Sequence, residues 1–145
     1  MADWTQGMQQ TFEYYEVDPA TWKDKRLLPN IRSSTIERDL DNETLGSASI
    51  DSSDEYGEIY IRIYLIAIQN GSAEPIALGT FLVQTPNGRS NGKSKTYSYD
   101  AYTPLLELKD GIPPIGYYIP KQTNVMDIAN RLCFANCRVP YVPGR

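Results

Sequence analysis

The sequence predicts a mainly β fold, an antiparallel β-barrel or β-sandwich with one amphipathic helix near its C-terminal end. Several short segments alternate apolar and polar residues, glycine and proline separate these segments, and helical periodicity is confined to the end of the chain. The length of 145 residues fits one domain, so residues 1–145 are expected to form a single β-rich unit.

The clearest predicted strand covers residues 58–68. One face is apolar and the other carries two tyrosines and an arginine: Ile59, Ile61, Ile63, Leu65 and Ala67 against Tyr60, Arg62 and Tyr64. Asn70 and Gly71 follow, and these residue types adopt the positive φ angles that a tight hairpin needs. The next run, residues 75–84, is therefore expected to pair antiparallel with this strand.

Further strands are predicted on both sides of this hairpin. Residues 95–102 alternate again and form a third strand of the meander, after a polar segment, residues 86–94, that we interpret as an exposed loop. The remaining strand candidates lie in the first half of the chain and are residues 11–17, 31–38 and 46–51.

One helix is predicted at residues 124–136. Its apolar residues recur at the spacing of a single helical face: Val125, Ile128, Ala129 and Leu132. Thr123 or Asn124 is suited to cap its N-terminus.

Composition excludes several classes of function. The chain has no histidine, which removes Ser-His-Asp and Cys-His nucleophiles, histidine metal sites and histidine pH switches. A net charge of -4 disfavours nucleic-acid binding, which needs a basic surface. No secretory signal is visible, and the longest apolar stretch, residues 59–68, is about half of a membrane span. We predict no catalytic residue, metal, cofactor or membrane insertion.

Two polar segments resemble ligand-binding motifs but lack required residues. Residues 92–94 read Gly-Lys-Ser, as a phosphate-binding loop ends, yet Asn87 stands where that motif needs glycine. Residues 39–43 alternate carboxylates as a calcium loop does, yet Thr44 replaces its glycine and Ile50 its bidentate glutamate. We interpret the first as a hairpin loop and the second as a solvated acidic turn.

Two other groups of residues bear on possible chemistry, and only the first leaves it open. A carboxylate pair for glycoside hydrolysis has many candidates, with no pair marked as buried: Glu37, Asp51, Asp54, Glu55 and Glu58. Cys133 and Cys137 are four residues apart on or just past the predicted helix, and we interpret them as helix-packing residues because zinc would lack further ligands.

Tyrosine is abundant, with 11 residues that lie mostly in or beside predicted strands. Tyrosines occupy half-buried sheet faces, and they are also enriched at protein interfaces. Tyr60, Arg62 and Tyr64 are therefore a candidate subunit interface. A tyrosine-rich carbohydrate- or receptor-binding β-sandwich is the alternative interpretation.

A series of short segments resembles one protein family in order and combination. The segments are Trp22–Asp24, Glu37–Asp39, Glu43–Ala48, Glu58–Leu65, Leu78–Thr85 and Pro113–Tyr117, followed by the helix. They resemble the N-terminal part of tail hub (baseplate hub) proteins of tailed bacteriophages, over roughly residues 10–136. Such hubs continue past the helix with further domains, so we expect a fragment of a longer hub, a split hub or a smaller tail component.

The resemblance implies a structural function. It implies a tail-tube-like fold assembled into a homo-oligomeric ring, with a trimer favoured and a hexamer as the alternative. The protein would be made in the host cytoplasm and reside in the virion, at the phage tail tip. Its partners would be tube, distal tail, spike or fibre proteins, and DNA would pass through the ring without specific binding.

Acidic residues suit such a conduit, because carboxylates on a lumen repel the phosphates of passing DNA. The densest acidic region supplies the candidates for channel-facing residues: Asp39, Asp41, Glu43, Asp51, Asp54 and Glu55. A cell-wall hydrolase that acts through carboxylates is the alternative from the enzyme class.

Overall fold

The computed structural model describes residues 2–41, 43–84, 86–90, 94–111, 116 and 118–136. The strands are β1 (Gln9–Val17), β2 (Asp24–Leu27), β3 (Ile31–Glu37), β4 (Ser47–Ser52), β5 (Tyr60–Gln69), β6 (Ser72–Val83), β7 (Asn87–Ser90) and β8 (Lys95–Tyr102), and the helices are α1 (Leu105–Asp110) and α2 (Val125–Asn136). The chain is mainly antiparallel β with a C-terminal helix, as predicted, and its sheet does not close on itself.

The strands form one sheet in the order β2-β1-β5-β6-β8-β4-β3. β6 connects its two halves, because it pairs with β5 from Ser72 to Leu82 and with β8 at Leu82 and Val83. β7 follows β6 in the chain and pairs with the other end of β8. The first half therefore contains β2, β1, β5 and most of β6, and the second contains β8, β4, β3 and β7.

The main core lies between these two halves. Its buried side chains are Tyr14, Ile61, Ile63, Phe81 and Val83 from β1, β5 and β6, Ala48, Ile50, Tyr99 and Ala101 from β4 and β8, and Leu28 and Tyr56 from connecting segments. Burial of each large aliphatic side chain contributes about 1.5–3 kcal/mol, which favours bending the sheet around this core. A hydrogen bond of 2.9 Å between the hydroxyls of Tyr14 and Ser34 links the halves directly.

Polar contacts fix the segment that joins β4 to β5 over this core. The buried Tyr99 hydroxyl accepts a hydrogen bond of 2.6 Å from the Tyr56 amide and donates one of 3.2 Å to the Asp54 carbonyl. Because Tyr99 is only 1% exposed, water does not compete for these contacts. Burial raises the pKa of the Tyr99 hydroxyl, which therefore stays protonated at neutral pH.

The predicted strands are confirmed, with small shifts at their ends. The predicted hairpin is also confirmed: Asn70 and Gly71 have φ angles of 51° and 76° and join β5 to β6. On β5 the predicted apolar face is buried at Ile61, Ile63, Leu65 and Ala67.

Three elements were not predicted. β2 and β7 are exposed along their whole length, so neither shows alternation of apolar and polar residues. The loop predicted for residues 86–94 is wrong over 87–90, because these residues pair with β8 as β7; residues 91–93 lie outside the described residues. The third element is α1, a short helix that follows β8.

The predicted C-terminal helix is confirmed as α2. The Asn124 side chain accepts a hydrogen bond of 2.9 Å from the Met126 amide, as expected of an N-cap. None of the α2 residues is buried, and Cys133 is half-buried. Cys137, the other predicted packing residue, lies outside the described residues. In the described part of the chain no helix has the length and apolar character needed to cross a membrane.

Candidate interaction site

Strands β1, β5 and β6 form a three-stranded arm with long uncovered edges. β1 pairs with β5 along its full length, but β2 covers its other edge only from Tyr15 to Val17. On the opposite side, β8 covers only Leu82 and Val83 of β6. Within the described residues, the two edges of the arm are therefore without a strand neighbour over most of their length. Such edges are templates for pairing with another chain.

On the face of the arm that points away from the core, Arg62 binds the connector between β1 and β2. Its guanidinium lies 2.8 Å from the Asp24 carboxylate and donates hydrogen bonds to the Trp22 carbonyl (3.1 Å) and the Thr80 hydroxyl (3.0 Å). The side chains of Arg62 and Asp24 are 15% and 32% exposed, so water screens this ion pair only in part. These contacts fold the β1–β2 connector onto the arm.

Trp22 covers this face of the arm near the end of β1. Its φ angle of 57° is left-handed, and its ring packs edge-on against Tyr60 with centroids 5.2 Å apart. Tyr60, Val17 and Leu82 form a second, smaller core beneath it. The Arg62 guanidinium lies 5.8 Å from the centre of the Trp22 ring, within the range of a cation–π contact.

The three predicted interface residues differ from one another in exposure and in contacts. Tyr60 is 2% exposed beneath Trp22, and Arg62 is held by Asp24. Tyr64 is half-buried and donates a hydrogen bond of 2.9 Å to Asp24. Arg62 and Tyr64 are thus the two members of this set that retain exposed surface, and the interface itself stays a prediction.

Trp22 and Asp24, which complete this site, were not assigned to it from the sequence. The hydrogen bond from Arg62 to the Trp22 carbonyl spans 40 residues, and the one from Tyr64 to Asp24 spans the same distance. Trp22 is a tryptophan in a polar segment, which is the signal that could have indicated a packing role for the connector.

Tyr15 and Tyr64 form one wall of an open pocket of about 400 Å³ on this face, which we call the tyrosine pocket. Their rings meet edge to face, with centroids 5.7 Å apart and planes at 87°. The other lining residues are Glu13, Asp24, Ile66, Ala73 and Pro75. The pocket therefore combines aromatic, aliphatic and carboxylate surfaces.

The two carboxylates of the tyrosine pocket differ in their partners. The Tyr15 hydroxyl donates a hydrogen bond of 2.9 Å to Glu13, and this carboxylate raises the pKa of Tyr15. One oxygen of the Asp24 carboxylate accepts a hydrogen bond from the Tyr64 hydroxyl, and the other accepts one from the Arg62 guanidinium. Among the described residues no basic side chain is ion-paired with Glu13. Glu13 is therefore the uncompensated charge of the pocket.

The predicted channel-facing acids lie in two separate groups. Asp39, Asp41 and Glu43 belong to the β3–β4 connection, whereas Asp51, Asp54 and Glu55 lie at the far end of β4. Along β4, Asp51 lies four residues beyond Ser47, which is about 13 Å at the rise of an extended strand. One chain thus presents no single acidic patch, and a lumenal position for either group stays a prediction.

Several of these acids have internal partners. The hydroxyls of Ser98 and Ser33 donate hydrogen bonds of 2.6 and 2.9 Å to Asp51, and they lower its pKa. Lys109, on α1, forms an ion pair of 2.6 Å with Glu43 and lowers the pKa of that carboxyl. Both carboxyls therefore remain charged at neutral pH.

Around helix α2 several large apolar side chains are exposed. We call them the C-terminal apolar surface: Tyr118, Ile119, Val125, Met126 and Phe134. Phe134 is 78% exposed and Val125 is 74% exposed. Large exposed apolar side chains are candidates for contact with another protein.

Comparison of the chain with protein-family profiles, characterised proteins and solved structures finds no match. The described residues contain no group of three or more cysteine, aspartate and glutamate side chains placed to hold a metal ion. Three surfaces of the described residues are candidates for interaction: the edges of the arm, the tyrosine pocket and the C-terminal apolar surface.

Proposed function

We propose that this protein is a structural subunit of a bacteriophage tail hub. In this proposal the subunits form a ring that connects the tail tube to the tip proteins and encloses part of the DNA path. The observation that supports it best is the arm, whose two opposite edges are both largely uncovered. A subunit with two different open edges is suited to head-to-tail assembly, which closes into a ring when the rotation allows.

The direction of the strands makes this proposal specific. β1 and β6 both run antiparallel to β5, so they run parallel to each other. In a ring, the β6 edge of one subunit would meet the β1 edge of the next, and rotation about the ring axis keeps these strands parallel. A two-fold dimer would instead join β1 to β1 or β6 to β6 in antiparallel fashion.

Ring formation would also complete the tail-tube-like barrel or sandwich, which a single chain leaves open. A trimer is the favoured ring and a hexamer the alternative. We assign the C-terminal apolar surface to contacts with neighbouring tail proteins such as the tube, distal tail, spike or fibre. The two acidic groups would line the passage, where they would repel DNA phosphates rather than bind them.

Cysteine cross-linking across the proposed junction tests this arrangement. Thr11, on β1, and Ala77, on β6, are both exposed, and both side chains lie on the face opposite the core. We would combine T11C and A77C in one chain, in a background with C133S and C137S, and add a short thiol-reactive cross-linker that tolerates a small shift in register. The hub proposal predicts covalent oligomers that stop at three or six subunits.

The two single variants are the matched controls. In a head-to-tail ring, T11C alone and A77C alone place no two cysteines at one junction, so both should remain monomeric under denaturing conditions. Dimers from either single variant would indicate two-fold pairing and would contradict the ring. Absence of cross-links in the double variant at concentrations where the protein is oligomeric would also contradict it.

A binding module is the second candidate function, and the tyrosine pocket is the observation that favours it. Aromatic rings beside carboxylates are suited to contact a sugar or a receptor. A stable monomer that binds glycans through Tyr15 and Tyr64 would favour this function over the hub.

A further inference from the structure

We propose that the tyrosine pocket binds a basic side chain, arginine or lysine, that a partner protein presents. This inference goes beyond the hub proposal and does not depend on ring formation. It rests on the charge of the pocket, on its lining and on an analogous arrangement that the same chain contains.

Charge favours a cationic occupant. Within the described residues Glu13 has no ionic partner, whereas Asp24 is neutralised by Arg62 at 2.8 Å. The Tyr15 hydroxyl occupies one oxygen of Glu13, at 2.9 Å, so the second oxygen is available to a ligand. A cation placed there would compensate the one charge that the pocket leaves unpaired.

The lining of the pocket suits the remainder of a long basic side chain. Ile66, Ala73 and Pro75 provide an aliphatic surface on which the methylene groups of arginine or lysine can pack. Tyr15 and Tyr64 provide aromatic rings within reach of the charged group. Such side chains commonly bury their stems in this way while the charged group contacts a carboxylate.

The chain itself shows the same recognition beside the pocket. Arg62 lies 5.8 Å from the centre of the Trp22 ring and forms an ion pair with Asp24. Its side chain is 15% exposed, so an aromatic ring and a carboxylate, together with the Thr80 hydroxyl and the Trp22 carbonyl, hold a guanidinium largely out of water here. A neutral sugar in the neighbouring pocket would leave the Glu13 charge uncompensated, and we therefore favour the basic side chain.

Peptide titration followed by NMR tests this proposal. The isotope-labelled full chain would be titrated with acetyl-Gly-Arg-Gly-amide and with the same peptide containing citrulline, which has arginine's shape without its charge. We expect saturable shifts at the Tyr15 and Tyr64 amides with the arginine peptide, and about tenfold weaker binding of the citrulline peptide.

Substitution of Glu13 is the second part of the experiment. Glu13→Gln keeps the shape of the side chain and should weaken binding of the arginine peptide about fivefold or more. Glu55→Gln, which removes an exposed acid that does not line the pocket, should leave binding unchanged. Raising the salt concentration should weaken binding to the unmodified protein, a result that does not require any variant to fold.

Several outcomes would overturn the proposal. Equal affinity for the arginine and citrulline peptides, or unchanged affinity in Glu13→Gln, would remove its electrostatic basis. Shifts at Tyr15 and Tyr64 with chitotriose but not with the arginine peptide would assign the pocket to carbohydrate. Self-association that Glu13→Gln abolishes would assign it to a second copy. The peptide and chitotriose results do not depend on the mass of the assembled protein, so the hub proposal is tested separately.

Discussion

Arg62 and Asp24 form an ion pair of 2.8 Å that joins the third residue of β5 to the first residue of β2. This pair holds the β1–β2 connector against the arm and places Trp22 over Tyr60. It thereby separates two parts of one sheet face: a closed part around Tyr60 and an open part at the tyrosine pocket.

Replacing Arg62 by methionine should destabilise the protein. The variant loses the ion pair with Asp24 and the hydrogen bonds to Trp22 and Thr80, and it leaves Asp24 without its cation. We expect the free energy of unfolding to fall by about 2 kcal/mol, measured by urea denaturation. Arg32→Met is the matched control. Arg32 is exposed and, within the described residues, donates one hydrogen bond, to Ser53. We therefore expect this variant to lose less free energy of unfolding than Arg62→Met. Equal losses would contradict the role assigned to Arg62.

Tyr99→Phe tests the polar contacts over the core. The substitution removes the hydroxyl that accepts the Tyr56 amide at 2.6 Å and donates to Asp54, and it leaves a buried amide without its acceptor. We expect a loss of about 1–3 kcal/mol in thermal or urea unfolding. Tyr118→Phe, at a residue that is 76% exposed, should change stability little. If Tyr99→Phe left the free energy of unfolding unchanged, this hydroxyl would not fix the segment that joins β4 to β5.

The ion pairs of Glu16 predict that the free energy of unfolding depends on pH. The hydrogen bond from Lys25 and the proximity of Arg26 lower its pKa below the ordinary value. A carboxyl whose pKa is lowered by folding stabilises the protein above its unfolded pKa, about 4.3, and this contribution is lost as the pH falls through the folded pKa.

Urea unfolding of Glu16→Gln and the unmodified protein checks this prediction. At about pH 6 we expect the variant to be less stable by about 1–2 kcal/mol, and at about pH 3 we expect the difference to narrow. Glu55→Gln controls for the removal of one exposed acid. A difference that stays constant over this range would contradict the contribution of the Glu16 ion pairs.

The turn of the β5–β6 hairpin offers a test of backbone conformation. Gly71 has a φ angle of 76°, which costs an L-residue with a side chain about 1 kcal/mol, although its surroundings leave space for one. Gly71→Ala should therefore lower the free energy of unfolding by about that amount. Gly57→Ala is the control, because Gly57 also has open space but no positive φ. Equal effects would contradict this explanation.

The elements predicted from sequence are those whose pattern is local. Strand β5 alternates apolar and polar residues, and Asn70 with Gly71 indicates the turn that follows it. β2 lacks such a pattern, because its residues are all exposed and pair only with the end of β1. β7 contains Asn87 and Gly88, which are typical of loops, and becomes a strand through pairing with β8.

The candidate site was predicted only in part for the same reason. Tyr60, Arg62 and Tyr64 share a face of β5, which a period of two residues reveals. The residues that bury Tyr60 and neutralise Arg62 come from the β1–β2 connector and from the start of β2, where no periodicity indicates contact. The tyrosine pocket likewise draws on β1, β2, β5 and β6, so its lining depends on strand order.

The mass of the assembled protein tests the central claim, ring formation, most directly. Native mass spectrometry of the full chain should give a closed species of three or six subunits, each of 16.4 kDa, without intermediate or longer assemblies. A stable monomer, a dimer or an open-ended series of oligomers at the same concentration would contradict the ring.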